Sequence, residues 1–459
     1  MIQRAKTFAG RDLLFLGILS AAAFAVGLRE IYNYGYIGQD FIKHRNVILS
    51  FPGSYSYAET NPPGLYLFAS FVRHHVSSAH YLEAVALAFL SFNTLALWII
   101  YWFLWRGISL PALRYSAALF VTFVPFRVIH SVVIAADAFT LPVFALVALF
   151  TLRLLGNPRS YLSWAAISVS LCAGMLCKYT FAGLLPPVAL LLAIGIWRSP
   201  AKGGRLRWGA VGVMALALPA GLLAFQLREC ERANGVLTNG QWPPKGTPPA
   251  MRWSDILTLQ RSDLALLSAP EFAKGELFGF RSYSYPGLLH VSSVTDILGF
   301  SQPPPATLPR DWDRRTQEAI TRTRSTRSQV LQEASVRWCI VYSALAVVGS
   351  LYCLCLSALS LPFRKPYLPE ETVVITALAA GFYAPIFLNL HRVAFPYLLG
   401  YWLPRLVLPA LVVFYGLGFV LLDLAARNLE RPFPGRNLFL YVFAGYTLVA
   451  CLLFVGFLT

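Results

Sequence analysis

Asp40 stands in YIGQDFIKH, a short way past the first long apolar run of the chain. A carboxylate held close to a bilayer surface is costly unless it pairs with a cation or does chemistry. His44 follows four residues later, so the two share a face if this stretch is helical. A solvated loop charge with a local partner accounts for them equally well. Before the next apolar run comes AETNPPGLYLF, with Glu59, Asn61 and Tyr66 around a double proline. Pro62 and Pro63 end any helix before them and set an extended approach to the next one. Together these residues describe a pocket at a membrane boundary with a carboxylate in it.

Further polar groups recur at the same level. Asp137, in HSVVIAADAF, opens the fourth apolar run, where the helix dipole favours an acid and a simple cap is the alternative. Lys178 closes the fifth, in GMLCKYTFAGLLPP; it either caps that helix or snorkels to an anion. Arg392 and Arg405 bracket HRVAFPYLLGYWLPR, where two cations among aromatic residues suit a headgroup anchor as well as a substrate phosphate. His290 and Asp296 lie among apolar neighbours in RSYSYPGLLHVSSVTDILGF, and a loop histidine of that kind is commonly structural.

The elements that must position these groups are membrane helices. Apolar residues make up 57% of the 459 and charged residues 13%. The apolar content falls in runs long enough for a helix to cross the hydrocarbon core. Spans are expected near 13–31, 81–104, 112–129, 138–155, 161–177, 181–197, 208–227, 338–359, 372–390, 403–422 and 438–457, about eleven in all. The fold class is therefore an all-α polytopic membrane protein. Three regions follow: 1–227 with a first loop at 32–80, a large loop region at 228–336, and C-terminal helices at 337–459. The large loop is proline-rich (PPKGTPP, QPPPATLP) and reads as a packed region with short helices.

Basic residues orient the spans. Arg4, Lys6 and Arg11 precede the first, and the even-numbered connections carry Arg106, Arg114, Arg153, Arg159, Arg198, Lys202, Arg205 and Arg207, then Arg364, Lys365, Arg427, Arg431 and Arg436. The short odd-numbered connections carry few. This positive-inside pattern puts the N-terminus in the cytoplasm and every candidate group above on the extracytoplasmic side. The formal charge of +17 is thus a topology signal spread over short loops, which argues against nucleic-acid binding. Of the seven cysteines only Cys230 falls clearly in a loop, so no disulfide framework is implied. No phosphate-cradling glycine loop, zinc-ligand spacing or nucleophile elbow is present.

Taken in order, these elements resemble the integral-membrane glycosyltransferases of the GT-C fold, and most of all the bacterial relatives of protein O-mannosyltransferases and of the lipid A aminoarabinose transferase. Those families carry an acid, often with a histidine four residues on, in the first outer loop; Asp40-Phe-Ile-Lys-His44 is similar, with Phe41 where a second acid is common. Glu59-Thr-Asn-Pro-Pro-Gly-Leu-Tyr66 resembles their acid-x-x-Pro-Pro-Leu-Tyr-Tyr element, with Gly64 inserted and Asn61 as a further departure. Asp137 stands where they place an acid at the fourth span. Leu176-Cys-Lys178-Tyr through Pro186 resembles their Leu-Thr-Lys pattern. Arg405-Leu-Val-Leu-Pro-Ala-Leu411 resembles a late Arg-Tyr-Leu-Leu-Pro-Ala-Leu, with Leu406 for tyrosine.

The resemblance implies transfer of a sugar from a polyprenyl-phosphate donor to an acceptor hydroxyl on a lipid, glycan or protein, with inversion, at the extracytoplasmic face of a bacterial inner or cell membrane. Such transfer needs a base for the hydroxyl and a stabiliser for the leaving phosphate. Asp40 is the implied base with Asp137 beside it. Lys178, Arg405 and Arg392 are the implied phosphate ligands, with Lys178 and Arg405 directed into one groove open to lipid. His44, Glu59, Asn61, Tyr66, His290 and Asp296 line the implied pocket. Some members of the family need a divalent cation such as Mg or Mn and others do not; Asp40 and Asp137 are the carboxylates that would hold one. The competing reading is a secondary transporter or lipid flippase, which the spans and membrane-level charges would also suit. A non-enzymatic assembly subunit is third.

Overall fold

A computed structural model describes residues 9–33, 36, 41–53, 55–56, 62–77, 79–198, 204–234, 258, 285–295, 328–363, 367–390, 407–428 and 436–459. The described residues form helices and connections, with no strand among them. In chain order the helices are α1 Gly10–Tyr32, α2 Phe41–Ser50, α3 Gly64–His75, α4 Tyr81–Gly107, α5 Pro111–Phe123, α6 Pro125–His130, α7 Thr140–Gly156, α8 Tyr161–Cys177, α9 Leu185–Arg198 and α10 Arg205–Asn234. They continue with α11 Tyr285–Val294, α12 Gln329–Trp338, α13 Ile340–Phe363, α14 Glu370–Leu390, α15 Leu408–Asn428 and α16 Arg436–Leu458. Short 3-10 turns at Ala136–Phe139 and Tyr179–Leu184 lead into α7 and α9.

Among the described residues, nine helical stretches are long and apolar enough to cross a membrane. Their outward faces are apolar: Ile18, Leu95, Val213 and Tyr441 are all strongly exposed. An exposed apolar surface of this extent suits hydrocarbon and not water. The protein is an integral membrane protein built as a helical bundle.

Two of the eleven expected spans take another form. The run at 112–129 is divided between α5 and α6 at Val124, whose backbone is extended at φ −54° and ψ 126°. Pro125 explains this. It has no N–H to offer the Val121 carbonyl, and its ring pushes the preceding residue out of the helical region. The run at 161–177 is one helix of 17 residues, at the short end of what can cross the hydrocarbon core. α10 also runs past the expected boundary at 227 to Asn234, so Cys230 is helical and buried against the Tyr179 hydroxyl at 3.0 Å.

α15 is the central helix, with 72% of its apolar window buried, and it packs on α13, α14 and α5. α10 is peripheral at 17%. Without a hydrophobic force between helices in lipid, close backbone approach does much of the holding. α13 and α15 cross at Gly349 and Gly418, where an added Cβ on Gly349 would meet the Leu417 carbonyl at 2.6 Å.

Polar contacts define the two ends of the bundle. At one, Tyr115 donates to Asp12 at 2.6 Å, Arg106 pairs with Glu371 at 2.9 Å, and Asp423 accepts from the Ser109 and Leu110 amides at 3.0 and 2.8 Å while pairing with Arg427. The other end holds the first loop and the 131–139 segment.

Candidate functional site

The first loop folds onto the 131–139 segment through a small apolar cluster separate from the main core. Val47 and Ile48 of α2, Leu65 and Tyr66 of α3, Val85 and Phe89 of α4, and Ile134 and Ala138 belong to it. A backbone bond from the Ile134 amide to the Tyr36 carbonyl, 3.0 Å, ties the two segments directly. Arg73 reaches from α3 to the Ile48 and Leu49 carbonyls, supplying donors to the last carbonyls of α2. The described residues of the first loop therefore form two packed helices, α2 and α3, with their flanking turns.

Asp137 sits in the 3-10 turn before α7, 5% exposed. Asn93, within α4 and fully buried, donates its amide to the Ala138 carbonyl at 2.8 Å and so holds that turn from the side. Thr140 donates to the Asp137 carbonyl at 2.6 Å. The Asp137 carboxylate receives the Lys178 ammonium in a buried ion pair, with Lys178 6% exposed. Lys178 is at the end of α8 with an extended backbone, φ −158° and ψ 135°, which turns its side chain away from the helix it closes. The expected lipid-open ammonium is thus corrected: Lys178 lies inside the protein against a carboxylate. The cause is local. A charge with almost no loop around it cannot reach water, so it takes the nearest acid.

The proline element meets the same place. Pro63 leads into α3, and the first residue of that helix, Gly64, abuts the end of α8: a Cβ there would lie 2.7 Å from the Leu176 carbonyl oxygen and 3.0 Å from the Cys177 sulfur. The absence of a side chain at Gly64 is what lets the start of α3 sit against the end of α8, next to Lys178. Two residues on, the buried Tyr66 hydroxyl shares a 2.9 Å hydrogen bond with His44 Nδ1, and its ring lies near Phe51 and Tyr55 at 6.4 and 5.7 Å. Gly64→Ala is expected to lower the thermal midpoint, by an overpacking cost of about 1–3 kcal/mol. Gly17→Ala, where nothing lies within 4 Å, serves as the control in the same melting measurement; equal midpoints for both variants would show that the α3–α8 approach is loose.

Asp137, Lys178, His44 and Tyr66 are accordingly gathered at one end of the bundle. His290 is used elsewhere. It lies on α11, not in a loop, and its two ring nitrogens contact the Ser343 hydroxyl at 2.7 Å and the Val336 carbonyl at 2.8 Å. Those contacts tie α11 to α12 and α13, the structural role open to it from the sequence. Asp40, Glu59, Asn61, Asp296, Arg392 and Arg405 lie outside the described residues. Of the two carboxylates named for a cation, Asp40 lies outside the described residues and Asp137 is in view. The Asp137 carboxylate is engaged by a cation, and among the described residues no three His, Cys, Asp or Glu side chains cluster as ligands.

Several buried polar residues carry no mark in the sequence reading, Asn93 and Arg127 among them. Arg127, on α6 inside an expected span, is 1% exposed and donates through Nη2 to the Thr122 carbonyl. Thr122 in turn bonds the buried Tyr101 hydroxyl at 2.6 Å. Arg127 thereby serves a carbonyl in the turn where Pro125 has broken the helix. Among the described residues its Nε and Nη1 have no hydrogen-bond partner. An arginine just after a proline inside an apolar run was the available signal.

No protein-family profile and no curated protein matches this chain.

Proposed function

We propose that this membrane protein is a glycosyltransferase that moves a sugar from a polyprenyl-phosphate donor to an acceptor hydroxyl at the extracytoplasmic face. One observation carries the reading: the proline element, the Asp137 turn and Lys178, far apart in sequence, converge at one end of the bundle. The donor's tail would remain in lipid while its phosphate and sugar sit at the boundary. Asp40 takes the proton of the acceptor hydroxyl as its oxygen bonds to the anomeric carbon. The bond from that carbon to the phosphate oxygen breaks, and polyprenyl phosphate leaves with its electrons. Lys178 is assigned a different role from the phosphate ligand first expected: it pairs with Asp137 and orients its carboxylate. Arg405 and Arg392 are the cations left for the phosphate, and a guanidinium fork suits its oxygens.

Arg127 supports a second reading. A buried guanidinium within the bundle is the kind of group found along transport pathways, which favours a transporter or flippase. The test separates the two. The full chain is reconstituted in vesicles with a polyprenyl-phosphate sugar carrying a label in the sugar. Appearance of label on a new acceptor, with release of polyprenyl phosphate, is the expected result. Movement of intact donor between leaflets without release would establish the flippase reading instead.

A further inference from the structure

We propose that the end of the bundle opposite the candidate site carries a binding site for an anionic phospholipid headgroup, formed by Arg205 and Arg207 stacked on aromatic rings of α8, α9 and α10. Arg205 lies over Trp197 with its guanidinium carbon 5.3 Å from the ring centre. Arg207, exposed, lies 5.7 Å from the Tyr161 ring and 5.5 Å from Trp208, and donates to the Tyr161 hydroxyl. Tyr161 and Trp208 are themselves 4.9 Å apart, so the platform is continuous across the α8–α10 junction. Gly212 keeps that junction close, since a Cβ there would lie 3.1 Å from the Trp164 ring.

Two further features identify the ligand as a lipid. The surroundings are apolar and open: Leu206 is 88% exposed, Leu162 81% and Trp197 69%. Surfaces of that kind beside cations face acyl chains just below a headgroup layer. Along the chain the charge is also one-sided: no Asp or Glu occurs between Asp137 and Glu229. Arg198, the nearest other described cation in sequence, faces Glu370 and is left out of the site. A guanidinium beside a ring offers a planar N–H fork, which matches two phosphate oxygens better than a mobile ammonium does.

The test uses the full chain in nanodiscs of equal parts phosphatidylcholine and phosphatidylglycerol, with the lipids retained after transfer to detergent counted by native mass spectrometry. Wild type is expected to retain phosphatidylglycerol in preference. Arg205→Ala with Arg207→Ala should reduce that retention by roughly 10- to 30-fold, given the worth of each basic residue near an anionic surface. Arg232→Ala, which removes an exposed cation paired with Glu229, should leave it unchanged. Arg205→Lys with Arg207→Lys keeps the charge and the fold but loses the stacked fork, and should retain clearly less than wild type. Equal retention of the two lipids by wild type, or lysine variants that match it, would overturn the site.

Discussion

Asp137→Asn is expected to cost about 3–5 kcal/mol of stability, because it removes the carboxylate from a buried ion pair and leaves the Lys178 ammonium inside the protein without it. The loss should be read as a fall in thermal midpoint in detergent. Taking both charges away together is a different matter. Asp137→Asn combined with Lys178→Met has no stranded charge, and such replacements are often neutral. The double variant should therefore recover most of the lost stability. The pair then becomes informative about function. If the double variant folds and still transfers sugar, Asp137 and Lys178 are scaffold, and the converging elements around them are a packing solution. If it folds and transfer is lost, the pair belongs to the chemistry. A single substitution with no effect on the midpoint would mean that the ion pair does not form in the folded protein.

The second large effect concerns Asp40. Asp40→Asn keeps the size of the side chain and removes the proton acceptor, so turnover should fall by roughly 100-fold or more while expression is little changed. Labelled-donor turnover in vesicles measures this directly. Near-normal turnover would remove Asp40 from the mechanism and leave the proposal without a base. The two experiments fail independently: a silent Asp40 variant refutes the assigned base, whereas a silent Asp137/Lys178 double variant refutes only their chemical part.

The class of protein was legible without coordinates for a simple reason. A span must satisfy its backbone internally and present apolar side chains for some 20 residues, and that requirement writes itself into a single stretch of chain. Nine of the expected runs accordingly reappear as helices able to cross. The division at Val124 has its sequence mark as well, in Pro125 within that run. Asp137, Lys178 and Tyr66 could each be singled out because a polar group at the end of an apolar run is conspicuous by itself.

What each of them touches was beyond the sequence. A lysine closing one helix and an acid opening another carry no mark of being partners, since pairing depends on how α7 and α8 lie against each other. Gly64 read as an insertion in a motif; only the nearby Leu176 carbonyl explains why no side chain fits there. His290 could be catalytic or structural until its ring nitrogens were found on Ser343 and Val336. Hydropathy is a property of a segment and is decided locally. The partner of a buried charge is decided by contacts between segments, because in a low-dielectric interior its energy depends on what lies within a few ångströms.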